Sequence, residues 1–279
     1  MLPDLLIEPL VRVALLEDLG RGGDVTASLM RADERLVAQF VAREPGVVAG
    51  LAAARITCHL VDPALEFVAR VREGEAVVAG SVLATVSGAA ASVLVAERTA
   101  LNFLTHLSGV ATLTRAFVDA VAGTSAAIAA TRKTLPGLRA VQKAAVVAGG
   151  GLPHRFGLDD AILIKDNHIA ACGSVRSALQ RAKKVAGHMR IIEVEVDTLA
   201  QLEEALSEGP QVVLLDNFTL ADLRTAVTYT ARRAVLEASG GVNLATVAAI
   251  AATGVDVISV GALTHSARVL DIGLDALAR

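Results

Sequence analysis

The spacing of apolar positions changes twice along the chain. Over residues 5–19 they recur at helical spacing, Leu6, Leu10, Val13 and Leu16 among them, and stop at the Gly20-Arg21-Gly22-Gly23 turn, which predicts a helix. The period then shortens. Residues 37–42, 47–48, 65–71 and 82–86 read as short strands, with turns at Glu44-Pro45-Gly46 and Arg72-Glu73-Gly74-Glu75 and a helix around 51–60. A small α+β unit is expected here. Helical spacing returns at Ser92, with Leu94, Leu101, Leu104 and Leu107 on one side; Ser108-Gly109 suits a helix C-terminus, and a second helix over 111–121 is expected to lead out of the unit.

Beyond Gly123 short apolar runs alternate with helical stretches. The runs at 126–130, 161–164, 191–196, 212–215, 234–236 and 257–260 resemble buried strands, and the stretches 174–185, 199–207, 220–231 and 244–252 resemble helices. β-Branched strands that do not alternate with polar residues imply a parallel sheet covered by helices, and a barrel is favoured over an open sheet. What ends each run matters more than the runs themselves. Arg132 and Lys133 follow the first, Lys165 and Asp166 the second, Glu195 and Asp197 the third, Asp216 and Asn217 the fourth, Glu237 and Ser239-Gly240-Gly241 the fifth, and Gly261 the sixth. One such charge would be ordinary solvation. A complete ring at the strand ends is the arrangement in which barrel enzymes place catalytic groups, often with backbone N–H groups of the last loops around a phosphate.

Composition narrows the ligand. A net charge of -3 with 3% aromatic residues and no Trp lacks the basic face and stacking surfaces of a nucleic-acid binder, so a small anionic ligand is expected. The basic residues concentrate between Ala130 and His168: Arg132, Lys133, Arg139, Lys143, His154, Arg155 and Lys165, against Asp159, Asp160 and Asp166. Cys58 and Cys172 have no metal or redox spacing and read as reduced core residues of a cytoplasmic protein. No secretory signal is legible at the N-terminus. Residues 76–96 carry no charge, a length that raises a membrane span, but Gly80-Ser81 and Ser87-Gly88 break the run into turn-linked strands, so no membrane association is expected.

Within the ring, Glu195 and Asp216 are hard oxygen ligands on successive strand ends. Facing each other across the mouth, they would suit Mg²⁺ held partly by substrate phosphates; paired with Lys165 and Arg132 they would be ordinary ion pairs. Arg132, Lys133, His154 and Arg155 offer fork-like or point-charge contacts to carboxylates.

Several long motifs carry a resemblance in the same order along the chain: TRKTLPGLR at 131–139, GGG at 149–151, HRFGLDDAILIKDNHI at 154–169, EVEVDTLAQL at 193–202, LLDNF at 214–218, EASGGVNL at 237–244 and VDVISVGALTHSA at 255–267, preceded by LLEDLGRGGDVTA, AREPGVVAG and ERTALNFLTHLSGVAT. With these the chain closely resembles the quinolinate phosphoribosyltransferase family over nearly its whole length. The resemblance implies an N-terminal α+β sandwich domain, 1–109, rejoined by 268–279, and an open-sided α/β barrel, 110–267, of the type II phosphoribosyltransferase kind. It implies a decarboxylating pentosyltransferase of de novo NAD biosynthesis that joins quinolinate to 5-phosphoribosyl 1-pyrophosphate, with Mg²⁺ and no organic cofactor. By position, Arg132, His154, Arg155 and Lys165 would bind the quinolinate carboxylates, with Thr131 beside them and Lys133 near the pyrophosphate or substrate. Glu195 and Asp216 would place Mg²⁺ and the ribose, and Ser239, Gly240, Gly241 and Gly261 would cradle the 5-phosphate. Lys133, Lys165, Glu195 and Asp216 form the implied catalytic set. Arg98 would reach a neighbouring subunit's site, making a homodimer the minimal unit.

The chain departs from the family pattern at Ala130, where an Asp is common, at Val147, where an Arg is, and at Leu152-Pro153, in place of Val-Asn. These bear on the support around the site rather than on reaction class. A related protein associated with molybdenum transport shares the fold, but the Lys165-Asp166-Asn167-His168 run and Glu195 argue against it. A Schiff-base aldolase using Lys165 and a non-enzymatic anion-binding protein are the remaining alternatives.

Overall fold

The computed structural model describes residues 2–277. By contact the chain divides into two compact units. The first comprises the segment ending at Arg115, Thr134–Gly150 and the segment from Leu263 onward; the second comprises Ala116–Lys133 and Gly151–Ala262. Residues 134–150, which the sequence placed inside the barrel domain, thus belong with the first unit.

The first unit starts with α1 (Asp4–Leu19), as the spacing predicts. Its buried stripe, however, is Ile7, Val11 and Leu15, while Leu6, Val13 and Leu16 are exposed. There follow β1 (Arg35–Ala42), β2 (Gly46–Val47), α2 (Leu51–Val61), β3 (Glu66–Ala69), β4 (Ala76–Val77), β5 (Val82–Ala89) and α3 (Ala90–Ala120). The charge-free run therefore becomes two strands and the start of a helix, and no described helix is long and apolar enough to cross a membrane. The last strand of the chain, Ile272–Ala276, pairs antiparallel with β1, opposite β5, to complete a four-stranded sheet. Its core gathers Phe40, Leu83, Val86, Leu101 and Leu104. Cys58 lies in that core, and burial pushes its thiol up to about 12, as expected of an inert reduced cysteine.

The two helices expected on either side of Ser108-Gly109 are one continuous helix. Gly109 is not a stop but a contact: a Cβ there would collide with the Arg268 carbonyl oxygen and lie 3.0 Å from Val269 Cα. Ser108 is equally occupied, its Oγ accepting the Ala49 N–H at 3.0 Å and donating to the Ala49 carbonyl at 3.1 Å. A small residue and a hydroxyl that read locally as a helix end are here used for close packing.

The second unit carries β6 (Ala127–Ala129), β7 (Ile162–Ile164), α5 (Asp166–Cys172), α6 (Val175–Ala186), β8 (Ile192–Val196), α7 (Leu199–Glu208), β9 (Val212–Asp216), α8 (Leu220–Thr230), β10 (Val235–Ser239), α9 (Val247–Ala251) and β11 (Val257–Ser259). Between β6 and β7 the first unit contributes α4 (Arg139–Ala148), and after β11 it contributes α10 (Ala262–His265) in its greater part, followed by β12 (Ile272–Ala276). The six strands are parallel in the order β6-β11-β10-β9-β8-β7, and β6 and β7 do not pair with each other, which gives the open side. Three of the covering helices start on the same device: Ser174, Thr198 and Thr219 each accept the N–H three residues on, at 3.0, 3.2 and 3.2 Å. Such caps satisfy a backbone N–H in the first turn and fix the residue at which each helix starts.

Candidate active site

Strand parity decides what faces the barrel interior. In the parallel register Leu163 pairs with Glu193, Glu195 with Leu214, Leu214 with Glu237, and Asp216 with Ser239. Side chains two apart share a face, so Glu193, Glu195, Leu214, Asp216, Glu237, Ser239 and Ser259 point the same way. All of these but Glu193 meet in a cavity of about 550 Å³ at the C-terminal ends of the strands, lined also by Thr131, Arg132, Lys133, His154, Arg155, Leu163, Lys165 and Asp166. A cavity of about 490 Å³ in the first unit is mainly apolar; its one charged lining residue, Glu73, already accepts the Gly50 N–H at 3.0 Å.

Of the residues the sequence singles out, the cavity brings together Thr131, Arg132, Lys133, His154, Arg155, Lys165, Glu195, Asp216 and Ser239. Gly240 and Gly241 follow directly on β10, both with left-handed backbone, φ 96° and 61°. Gly261 stands just past β11. Arg98 is exposed on α3 in the first unit and is not among the cavity-lining residues.

Glu195 and Asp216 do not face each other across the mouth. They lie on neighbouring strands, and because Glu195 pairs with Leu214, Asp216 sits one inward layer nearer the rim. Glu195 Oε2 accepts from Lys165 Nζ at 2.6 Å, while Asp216 Oδ2 accepts from the Asn217 amide at 2.7 Å. Asn217 itself is held in a left-handed conformation, φ 55°, with its N–H on the Ser239 carbonyl. Lys165 is the residue before α5, and its N–H is taken by His168 Nδ1 at 2.9 Å, which explains a structural use for the Lys-Asp-Asn-His run.

Beneath the rim, His154 and Glu237, both singled out in the sequence, are joined by Glu193, which was not. His154 Nε2 is 3.2 Å from Glu237 and 3.5 Å from Glu193, and both glutamates are buried. Burial opposes charging the ring, but its bonds to Glu193 and Glu237 outweigh this and raise its pKa to about 9. The carboxyl of Glu193 is raised too, by burial first. His154 Nδ1, meanwhile, accepts the Arg155 backbone N–H at 2.8 Å. An amide hydrogen cannot rotate away, so this contact favours a bare Nδ1 with the ring proton on Nε2, and it opposes the second proton that the carboxylates attract.

Several buried polar atoms have no partner among the described residues: Arg132 Nε, Ser259 Oγ, Glu193 Oε1 and Glu237 Oε1. A buried unpaired donor costs roughly 1–3 kcal/mol, and Arg132 bears it at a cavity wall beside Arg155, whose own affinity for protons is lowered first by burial and then by the Arg132 charge. Such a pair is suited to an incoming anion.

At residues 130 and 152 the departures fall on backbone pairing. Ala130 N–H donates to the Leu152 carbonyl at 2.9 Å and Leu152 N–H to the Ile128 carbonyl at 2.7 Å, so residue 152 extends the β6 edge with its side chain outside.

The quinolinate phosphoribosyl transferase C-terminal domain family matches residues 110–275 and the corresponding N-terminal domain family matches residues 24–108. The chain is 50% identical over 271 residues to a carboxylating nicotinate-nucleotide pyrophosphorylase of Mycobacterium leprae, covering 95% of each chain. It is 42% identical to a probable enzyme of that name from Bacillus subtilis, covering 96% of this chain and 93% of the other. Among solved structures, the nicotinate-nucleotide pyrophosphorylase of Francisella tularensis superposes with a TM-score of 0.94 at 37% identity, covering 99% of this chain and 98% of that one.

Proposed function

Because the chain belongs to the quinolinate phosphoribosyltransferase family, and with it carries the decarboxylating activity of NAD biosynthesis, we propose that the barrel-mouth cavity is where quinolinate and 5-phosphoribosyl 1-pyrophosphate react. The observation that supports this most is the convergence of Arg132, Lys133, Arg155 and Lys165 with Glu195 and Asp216 on one cavity, with Arg132 Nε buried and unpaired.

Arg132, Arg155 and Lys165 supply charge for the two carboxylates of quinolinate, the arginines as forks and the lysine as a point charge. Holding both carboxylates fixes the pyridine ring and thereby aims its nitrogen, which converts a bimolecular encounter into a positioned attack. Glu195 and Asp216 lie where positive charge develops on the ribose C1 as the C1–O bond breaks and both electrons leave with pyrophosphate. The ring nitrogen then bonds to C1. As a pyridinium it draws electrons from C2, the bond from C2 to the carboxylate breaks with its electron pair left on the ring, and C2 takes a proton, for which the ammonium groups of Lys133 and Lys165 line the cavity. The products are nicotinate mononucleotide, pyrophosphate and carbon dioxide.

Mg²⁺ fits this donor set. Glu195 and Asp216 are accessible carboxylates on adjacent strands, Glu195 already draws a cation in Lys165, and a small number of protein oxygens is what Mg²⁺ uses when phosphates complete its shell. Bound there, it would neutralise the pyrophosphate as it leaves. Ser239, Gly240, Gly241 and Gly261 would receive the 5-phosphate, where left-handed glycines leave the backbone N–H groups unobstructed. Arg98, exposed on α3, would serve the site of a second copy in a homodimer.

The direct test is formation of nicotinate mononucleotide from quinolinate, with nicotinic acid as control acceptor. Turnover of both at similar rates would contradict a site built for two carboxylates.

A further inference from the structure

The inward layers of an α/β barrel are ordinarily filled by branched apolar side chains, yet here two of those positions are Glu193 and Glu237, 5% and 3% exposed. Two acids at such burial are costly unless something holds them. The partner shared by both is His154, which stands in a left-handed backbone conformation, φ 54°. Non-glycine residues in that region carry strain of roughly 1–3 kcal/mol and persist where their surroundings over-determine them.

The surroundings of His154 do so from both sides. On the preceding side, Leu152 is tied to the β6 edge by its N–H and its carbonyl, at 2.7 and 2.9 Å. On the ring side, Nε2 faces Glu237 and Glu193 while Nδ1 accepts the Arg155 N–H. Both ring nitrogens are therefore used within the protein. The bond to Arg155 fixes the plane of the 154–155 peptide, and Arg155 is a cavity-lining cation whose Nη1 makes a long contact, 3.4 Å, to the Ala161 carbonyl and whose charge lies near Glu193 and Asp160.

We propose that Glu193, Glu237 and His154 form a buried positioning triad, in which the two carboxylates lock the imidazole and the imidazole locks the backbone that presents Arg155 to a substrate carboxylate. His154 is then a positioning residue and makes no substrate contact through a ring nitrogen. The inference rests on the reading of the cavity as the quinolinate site, and it assigns roles to Glu193 and Glu237 that the strand-end pattern does not.

The test combines kinetics with imidazole ¹⁵N spectroscopy. Initial rates of Glu193→Gln, Glu237→Gln, His154→Ala and the double variant H154A/E237Q are measured at varied quinolinate and at varied phosphoribosyl donor, with melting temperatures alongside. Each single variant is expected to raise KM for quinolinate about tenfold, with kcat and KM for the donor within about twofold, and the double variant should be no worse than His154→Ala. With only six histidines, selective ¹⁵N labelling of the wild-type protein follows the His154 ring directly, and its two nitrogen resonances should stay in place when quinolinate saturates the enzyme. This arm needs no variant to fold. A large shift of either resonance on saturation would make His154 a substrate contact and overturn the proposal. So would unchanged quinolinate KM in both Gln variants, additive losses in the double variant, or a stoichiometric transition metal on the cluster. If instead Arg155→Ala and Lys165→Ala leave quinolinate KM unaltered, it is the assignment of the cavity that fails.

Discussion

Gly240→Ala combines two separable penalties, and its neighbour supplies the control. Residue 240 has φ 96°, and a Cβ there would overlap Asn217 Oδ1 and stand 2.6 Å from Asn217 Cγ and 3.0 Å from its backbone nitrogen. Gly241 also has a positive φ, 61°, but a Cβ there would meet nothing within 4 Å. Left-handed backbone costs an L-residue roughly 1–2 kcal/mol, and forcing an extra methyl into occupied space costs roughly 1–3 kcal/mol. Gly241→Ala should therefore lose about 1 kcal/mol and Gly240→Ala about 3 kcal/mol, the difference being the collision. The collision is also directed. Asn217 cannot move without releasing Asp216, whose Oδ2 its amide holds at 2.7 Å, so Gly240→Ala should raise KM for the phosphoribosyl donor about tenfold or more and affect quinolinate less. Urea denaturation at matched m-values gives the stabilities, and initial rates at varied donor give the second quantity. Equal stability losses in the two variants, or a Gly240→Ala enzyme with an unchanged donor KM, would refute the chain from Gly240 through Asn217 to Asp216.

Four further outcomes are expected. Chelation should abolish activity, and Glu195→Ala and Asp216→Ala should impair use of the phosphoribosyl donor more than quinolinate binding; full activity in excess chelator would contradict the Mg²⁺ assignment. Mixing inactive Arg98→Ala with inactive Lys165→Ala under subunit exchange should restore activity approaching about a quarter of wild type, because half the dimers are mixed and each has one intact site; continued inactivity after proven exchange would keep Arg98 out of a shared site. Gly109→Ala, which drives a methyl into the Arg268 carbonyl, should cost about 3 kcal/mol or more, against a gain of about 1 kcal/mol if Gly109 were merely a poor helix former, a difference in sign that thermal denaturation reads directly. Asp160 accepts the Phe156 and Gly157 N–H groups; these bonds outweigh the opposing effect of burial and lower its pKa below the ordinary 3.8. The 156–160 turn should thus be held above that pH and loosen below it, as limited proteolysis across pH 5 to 3 would show, with Asp160→Asn loosened throughout.

Periodicity located the helices and strands of this chain well, because most are sealed by local signals: Ser174, Thr198 and Thr219 cap their helices through the N–H three residues on. It failed where a local signal serves a distant contact. Ser108-Gly109 has the composition of a helix end, but its small volume is required by Arg268 and its hydroxyl by Ala49, partners 159 and 59 residues away. The α1 stripe failed differently. Apolar residues occupy both of its faces, so spacing alone does not choose between Leu6, Val13 and Leu16 and the Ile7, Val11 and Leu15 that are buried.

The cationic half of the candidate site was legible as charges following apolar runs, as was Glu237 at the end of the fifth, and Glu193 was missed by the same rule. A strand end announces itself by exposure, so Glu195 and Asp216 stand out, whereas Glu193 lies among valine and isoleucine. Parity nevertheless contained the information. In Ile192-Glu193-Val194-Glu195-Val196 the two acids are two apart, so if Glu195 faces the cavity, Glu193 must face the interior one layer below it. The same step applied to Ser239 places Glu237 inward. Two inward acids below the rim then require a buried partner, and the basic residues between Ala130 and His168 are the nearby stock from which it comes. Of that stock, His154 is the side chain that meets both carboxylates. Sequence parity thus constrains facing for all of these acids and, for Glu193, depth as well, since it lies one inward position below Glu195 while Glu195 and Glu237 are both level with Leu214.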